Sequence, residues 1–134
     1  MILSAKKVAV IGLGYVGLPL AALCAKKGYP VIGLDSKTTT VELLQKGQCH
    51  IRDEVVERLL AEAIASSNFA ATADTSQIAD CNIYLICVPT PVDANNEPDL
   101  APLEGACRAV APHLQKGDLV VVESTVFPGT CEEI

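Results

Sequence analysis

A doubly wound α/β fold built on a parallel sheet is predicted by three observations. Strand-like apolar runs alternate along the chain with helix-period segments, a pattern that calls for right-handed crossovers between parallel strands. The run Asn82-Ile83-Tyr84-Leu85-Ile86-Cys87-Val88 is apolar almost throughout, as expected of a strand covered on both faces. The first apolar run, Val8-Ala9-Val10-Ile11, passes directly into Gly12-Leu13-Gly14-Tyr15-Val16-Gly17 and then into a helix-period stretch.

The elements follow in order. Lys7 to Ile11 reads as the first strand. Val16, Leu20, Leu23 and Cys24 fall on one face of the helix after it, and Gly28 supplies a left-handed stop. The second strand runs from Pro30 and closes on Asp35. Val41, Leu43 and Leu44 mark a short helix ended by Gly47. Asp53 is placed to cap a helix from Glu54 to Ala65, with Val55, Leu59 and Ala63 on its buried side, extended by Val56 and Leu60. Asn68 to Thr72 reads as a short third strand and Ser76 to Asp80 as a single helical turn. Pro89 to Pro98 is a loop with three prolines and two asparagines. Asp99 then caps a helix with Pro102 in its first turn, where the missing N–H costs nothing. That helix runs toward Leu114, with Pro112 distorting its last turn. Gly117 ends the region, Asp118 to Glu123 is the fifth strand, and Ser124 to Ile134 is a loop with the first turn of another helix.

Each glycine of the first turn has a physical task if the turn holds a dinucleotide. Gly12 bends the backbone out of the strand, Gly14 leaves no Cβ between backbone and pyrophosphate, and Gly17 lets the helix approach the sheet. The helix start offers free N–H groups and a positive dipole end to the phosphates. The strand before, the helix after and Asp35 eighteen residues beyond Gly17 supply the context that such a motif needs. A carboxylate at Asp35 can accept hydrogen bonds from both ribose hydroxyls and would repel a 2′-phosphate, which favours NAD over NADP. Lys37 stands close enough to soften that repulsion. Asp35 is equally suited to capping the next helix, and the two roles can coexist.

In doubly wound sheets, ligands lie at the carboxyl ends of the strands where strand order reverses. The loops Gly12 to Gly17, Pro89 to Pro91 and Ser124 to Gly129 should therefore converge. Two of them place a hydroxyl, Thr90 and Thr125, right after a buried strand. Such a hydroxyl can reach a ribose, a nicotinamide amide or a catalytic water, or it can cap a turn.

Composition narrows the function. The 134 residues suit one domain able to bury roughly two-thirds of its unfolded surface. No apolar run approaches the roughly 20 residues that span a bilayer, and Met1 to Lys7 lacks the apolar core of a signal peptide, so the reading is cytoplasmic. A net charge of −6 with ten basic residues gives no footprint for nucleic acid. The six cysteines form no C-x-x-C and fall mostly within expected elements, so they read as reduced core thiols. His50 and His113 lack ligand-like spacing, and no metal site is expected.

Four segments then resemble a known family in order and spacing. They are Gly12-Leu13-Gly14-Tyr15-Val16-Gly17-Leu18-Pro19, Cys87-Val88-Pro89-Thr90-Pro91, Pro98-Asp99-Leu100 and Glu123-Ser124-Thr125-Val126-Phe127-Pro128-Gly129-Thr130. Together they are similar to the N-terminal NAD-binding domain of the UDP-glucose/UDP-N-acetylhexosamine 6-dehydrogenases. The Glu-Ser-Thr form, with Gly47 to Ile51 reading Gly-Gln-Cys-His-Ile, is most similar to the UDP-N-acetylglucosamine and UDP-N-acetylmannosamine branch of surface polysaccharide synthesis.

The resemblance implies a Rossmann-type sheet cut after about five strands, with residues 1–134 forming the dinucleotide-binding domain and the substrate-binding domain absent. It implies oxidation of a sugar C6 alcohol to a carboxylate by two hydride transfers to two NAD, through a cysteine-bound thiohemiacetal and thioester. Gly12, Gly14 and Gly17 with Tyr15 and Val16 would hold the pyrophosphate, and Asp35 the adenosine ribose. Thr90 would contact the cofactor beside its nicotinamide half. Thr125 would sit at the reaction centre, touching the cofactor and helping to order a catalytic water. The family often carries a basic residue just before the position of Val41, where this chain has Thr40. Its catalytic cysteine follows a Phe-Gly-Gly motif that these residues do not contain, and Cys131 is no substitute. The chain alone is therefore expected to bind NAD weakly and to oxidise no UDP-sugar, while the full-length enzyme would take the UDP-sugar and form a homo-oligomer.

A non-enzymatic NAD-binding regulatory domain is the alternative. It explains the glycine turn and Asp35 but does not require Pro89-Thr90-Pro91 or Ser124-Thr125-Val126. A β-hydroxyacid dehydrogenase would differ in the loops after the fourth and fifth strands, and a decayed site is opposed by the intact glycine set.

Overall fold

β1 (Val8–Ile11) divides its side chains between two cores, as a strand's period of two requires. Val8 and Val10 join one apolar cluster and Ala9 and Ile11 the other. The computed structural model describes residues 6–133. Residues 1–5 and 134, on which part of the sequence expectation rests, lie outside that range. β1 pairs on one side with β2 (Val31–Leu34), which pairs with β3 (Phe69–Thr72). On the other side it pairs with β4 (Ile83–Ile86), which pairs with β5 (Leu119–Val122).

All four pairings are parallel and the order is β3-β2-β1-β4-β5, the doubly wound sheet expected. Register sets Ile11 beside Leu34 and Ile86, Leu34 beside Thr72, and Ile86 beside Val122. The carboxyl ends of all five strands thus finish level. Strand order reverses between β1 and β4, and the expected ligand crevice lies there. Observed strands are four residues each, one or more shorter than their apolar runs.

α1 (Gly17–Lys26), α2 (Thr38–Gln45) and α3 (Glu54–Ala65) cover the face of the first cluster. α4 (Ala101–Val110) and a 3₁₀ turn at Thr75–Ile78 cover the other. The short α5 (Thr130–Glu133) ends the described chain. The limits of α3 agree with the sequence reading, and Asp53 Oδ1 accepts from Val55 N at 2.9 Å and Val56 N at 3.1 Å. Gly28 adopts φ +95° behind α1, the conformation that stops the helix.

Two helix faces differ from expectation. α1 buries Leu18, Ala21, Ala22 and Ala25, while Leu23 is 44% exposed and Val16, at 58%, precedes the helix as its N-cap. The cause is proximity: Gly17 brings α1 so near the sheet that alanines fill the gap, and Leu20 and Cys24 are displaced to its margin. α3 buries Val56, Leu60 and Ala63, an i, i+4, i+7 set, and leaves Val55 55% exposed with Leu59 at the edge. Leu18 and Leu60, fully buried where these helices meet, contribute about 1.5–3 kcal/mol each.

Asp99 caps α4 from one position further out than expected. Its Oδ1 accepts from Ala101 N at 3.0 Å, while Leu100 holds the N-cap position. α4 stops at Val110, and Pro112 lies in a 3₁₀ turn, Ala111–His113.

Candidate functional site

The turn after β1 is built so that protein atoms explain two of its glycines and leave the third to something else. Gly12 adopts φ +94°, and a Cβ there would stand 2.9 Å from the Cys87 carbonyl oxygen. A Cβ on Gly17 would fall on the Gly12 carbonyl, so Gly17 is what lets α1 begin directly beneath the turn. Gly14 meets nothing within 4 Å and its backbone lies outside the left-handed region. Its missing side chain faces open space.

Leu13 anchors the turn. Its fully buried side chain rests against Gly33 of β2, where a Cβ would come within 2.7–2.8 Å of its methyl groups. Its backbone N–H donates to Asp35 Oδ2 at 2.9 Å. Asp35 follows β2 and also accepts from Lys37 N at 2.8 Å, so both carboxylate oxygens are fixed. It thus joins the glycine turn to the approach of α2, whose N-cap, Lys37, makes no side-chain cap bond.

α1 starts without a cap. Val16 offers no capping side chain and the first turn carries no acidic residue. The N–H groups of Tyr15, Val16 and Gly17 donate to no acceptor among the described residues. Orphan donors at a helix start form an anion site, and here they adjoin the open face of Gly14.

The turn floors a cleft of about 1020 Å³ that runs across the carboxyl edge of the sheet. Asp35, Lys37, Thr40, His50 and Thr75 line one end. Cys87, Val88 and Thr90 form the opposite wall, with Glu123, Ser124 and Thr125 beside them. The three loops expected to converge do so. All the singled-out positions, Gly12, Gly14, Tyr15, Val16, Asp35, Thr90 and Thr125, border this cleft except Gly17, which lies buried behind the turn.

The two threonines differ in what they have left to offer. Thr90 Oγ1 donates to the Thr125 carbonyl at 2.7 Å, and Ser124 Oγ donates to the Val88 carbonyl at 2.7 Å. These bonds tie the loops after β4 and β5 into one wall. Thr90 has committed its proton and retains acceptor capacity, whereas the Thr125 hydroxyl has no partner among the described residues.

The thiol in the cleft is not poised for attack. Burial, reinforced by the Glu123 carboxylate, pushes Cys87 from its ordinary 9.0 to about 11. No three His, Cys, Asp or Glu side chains gather into a metal cage among the described residues. No helix among them is long and apolar enough to cross a membrane. Sequence reasoning passes over Gly33, although an isolated glycine inside a strand signals close approach of another group. It names Ser124 only within the loop after the fifth strand and weighs His50 only as a metal ligand, because no spacing rule gives a signal for the contacts they make or lack.

The sequence pattern of the UDP-glucose/GDP-mannose dehydrogenase family, NAD binding domain, matches residues 6–134. The chain belongs to this family. It is 38% identical over 128 residues to the UDP-N-acetyl-D-mannosamine dehydrogenase of Pyrococcus horikoshii, covering 96% of this chain and 30% of that protein. It is 42% identical over 127 residues to the UDP-N-acetyl-D-glucosamine 6-dehydrogenase of Pseudomonas aeruginosa, covering 95% and 29%. The solved Pyrococcus horikoshii UDP-D-ManNAc dehydrogenase superposes with a TM-score of 0.91 over 96% of this chain and 30% of that one, at 38% identity. A ternary complex of GDP-mannose dehydrogenase from Pseudomonas aeruginosa superposes with a TM-score of 0.88 at 32% identity, over 95% and 30%. The chain spans about 30% of the length of these relatives.

Proposed function

We propose that this chain is the cofactor domain of a nucleotide-sugar dehydrogenase and that the cleft holds NAD across the β1–β4 switch point. Gly14 carries the reading: its open face adjoins orphan N–H donors, and no contact among the described residues requires a glycine there. The pyrophosphate would lie on Gly12 and Gly14 and the N–H groups of Tyr15 and Val16. Gly17, buried behind the turn, would serve by seating α1 beneath them rather than by touching the cofactor. Asp35, with both oxygens already oriented by backbone donors, would accept from the adenosine ribose hydroxyls and repel a 2′-phosphate. Lys37 is the nearby cation at that end, since Thr40 is uncharged.

When bound, the nicotinamide supplies the hydride acceptor. Thr90 would offer acceptor lone pairs beside the nicotinamide half. The free hydroxyl of Thr125 would touch the cofactor at the reaction centre and help order a water there. Cys87, held protonated, would take no part as a nucleophile.

The relatives support a UDP-N-acetylhexosamine as the sugar, oxidised at C6 to a carboxylate in the whole protein. Residues 1–134 are then the dinucleotide-binding domain, with the sugar-binding domain and the cysteine nucleophile supplied elsewhere. Surface polysaccharide synthesis in the cytoplasm, by a homo-oligomer that engages neither nucleic acid nor membrane, completes the reading.

Calorimetric titration of the chain with NAD and NADPH tests it. NAD is expected to bind weakly but more tightly than NADPH, and the reverse order would refute the role given to Asp35. Incubation with UDP-N-acetylglucosamine and NAD should yield no NADH from the chain alone.

A further inference from the structure

We propose that His50 recognises the adenosine half of the dinucleotide, with its imidazole Nδ1 as the hydrogen-bonding atom. The inference rests on the cleft being the dinucleotide site proposed above. His50 borders the cleft at the end that holds Asp35, Lys37 and Thr40, where the carboxylate would meet a ribose. Its Nδ1 is the single buried side-chain nitrogen or oxygen without a hydrogen-bond partner among the described residues.

A histidine kept for packing spends its nitrogens on protein partners, as buried polar groups ordinarily do. Here the fold tolerates an unpaired nitrogen where an apolar side chain would fill the space without that penalty. The backbone that carries it is anchored on both sides. Ile51 is buried in the first core cluster and Cys49 packs against it. Nδ1 itself is shielded in the structure, so the proposed contact requires the imidazole to turn about its own side-chain bonds when the ligand enters. Adenosine presents ring nitrogens, an amino group and ribose hydroxyls, and an imidazole nitrogen can donate to or accept from these.

The test compares the wild-type chain with His50→Asn and His50→Leu, by calorimetric titration with NAD and with ADP-ribose and by thermal melting without ligand. Asn keeps a polar group near the position of Nδ1, and Leu keeps volume alone. His50→Leu should bind both ligands about three- to tenfold more weakly, the loss of one hydrogen bond. It should melt no lower than wild type, and His50→Asn should recover most of the affinity. Repeating the comparison with nicotinamide hypoxanthine dinucleotide sorts the contact. The Leu defect disappears if the adenine amino edge is the partner and persists if the partner is a ribose hydroxyl or a ring nitrogen away from that edge. A Leu variant that binds as tightly as wild type overturns the role of His50 and leaves the cleft reading standing. So does a Leu variant that melts lower and is not rescued by Asn. A wild-type chain that binds neither ligand overturns the cleft reading itself.

Discussion

Gly14→Ala separates the demands of the fold from those of a ligand at a single atom. The added methyl meets no atom of the described residues within 4 Å, and the backbone there is open to any L-residue. Folding should therefore be unharmed, and the reduced freedom of the unfolded chain should raise stability by about 0.4–1 kcal/mol. The same methyl would stand where a pyrophosphate approaches the N–H groups of Tyr15 and Val16. A hydrogen bond to a charged group is worth about 1.5–3 kcal/mol, so losing one weakens NAD roughly ten- to hundredfold. Gly17→Ala is the counterpart, because its added carbon falls on the Gly12 carbonyl and must lift α1 from the sheet. Overpacking of that kind costs about 1–3 kcal/mol. Calorimetry with NAD and a thermal melt of each variant give both quantities. A Gly14→Ala chain that binds NAD like wild type, with an unchanged melt, would refute the assignment of that open face to a diphosphate.

Three further outcomes are expected. Thr125→Val in the whole protein should abolish turnover and leave NAD binding largely intact, measured by steady-state kinetics beside calorimetry; a regulatory domain would show no such split. Burial pushes Cys81 and Cys87 each from an ordinary 9.0 to about 11, so the folded chain keeps them protonated where the unfolded chain ionises. Their contribution is intact below pH 9 and is lost between pH 9 and about 11, on the order of 3 kcal/mol per thiol at the upper limit. Urea denaturation across that range should show the decline. Asp53→Ala removes the acceptor for Val55 N and Val56 N and should cost about 1 kcal/mol, read from the melting midpoint.

Periodicity and punctuation make most of the architecture legible in the amino-acid sequence. The strand count, the parallel pairing, the Asp53 cap and the convergence of three loops all follow from local patterns that tertiary contacts do not override. Helix faces are less legible, because the direction an amphipathic helix turns depends on how near its neighbours stand. Gly17 sets that distance for α1 and favours alanine over leucine at the interface. Within the site, the glycine turn and Asp35 are visible because their spacing is local. The pairing of Asp35 with Leu13 N, the seat of Leu13 on Gly33 and the unpaired nitrogen of His50 join segments distant in sequence. No run of residues announces such meetings.

The hydroxyl ties between the loops after β4 and β5 bear on how this crevice can widen. With Thr90 fastened to the Thr125 carbonyl and Ser124 to that of Val88, one jaw is braced as a single piece. The Leu13 seat and the Asp35 clasp do the same for the other. The β1–β4 ladder joins the two beneath the crevice, so a long, bent guest meets walls whose spacing is already set by bonds rather than by loose tips.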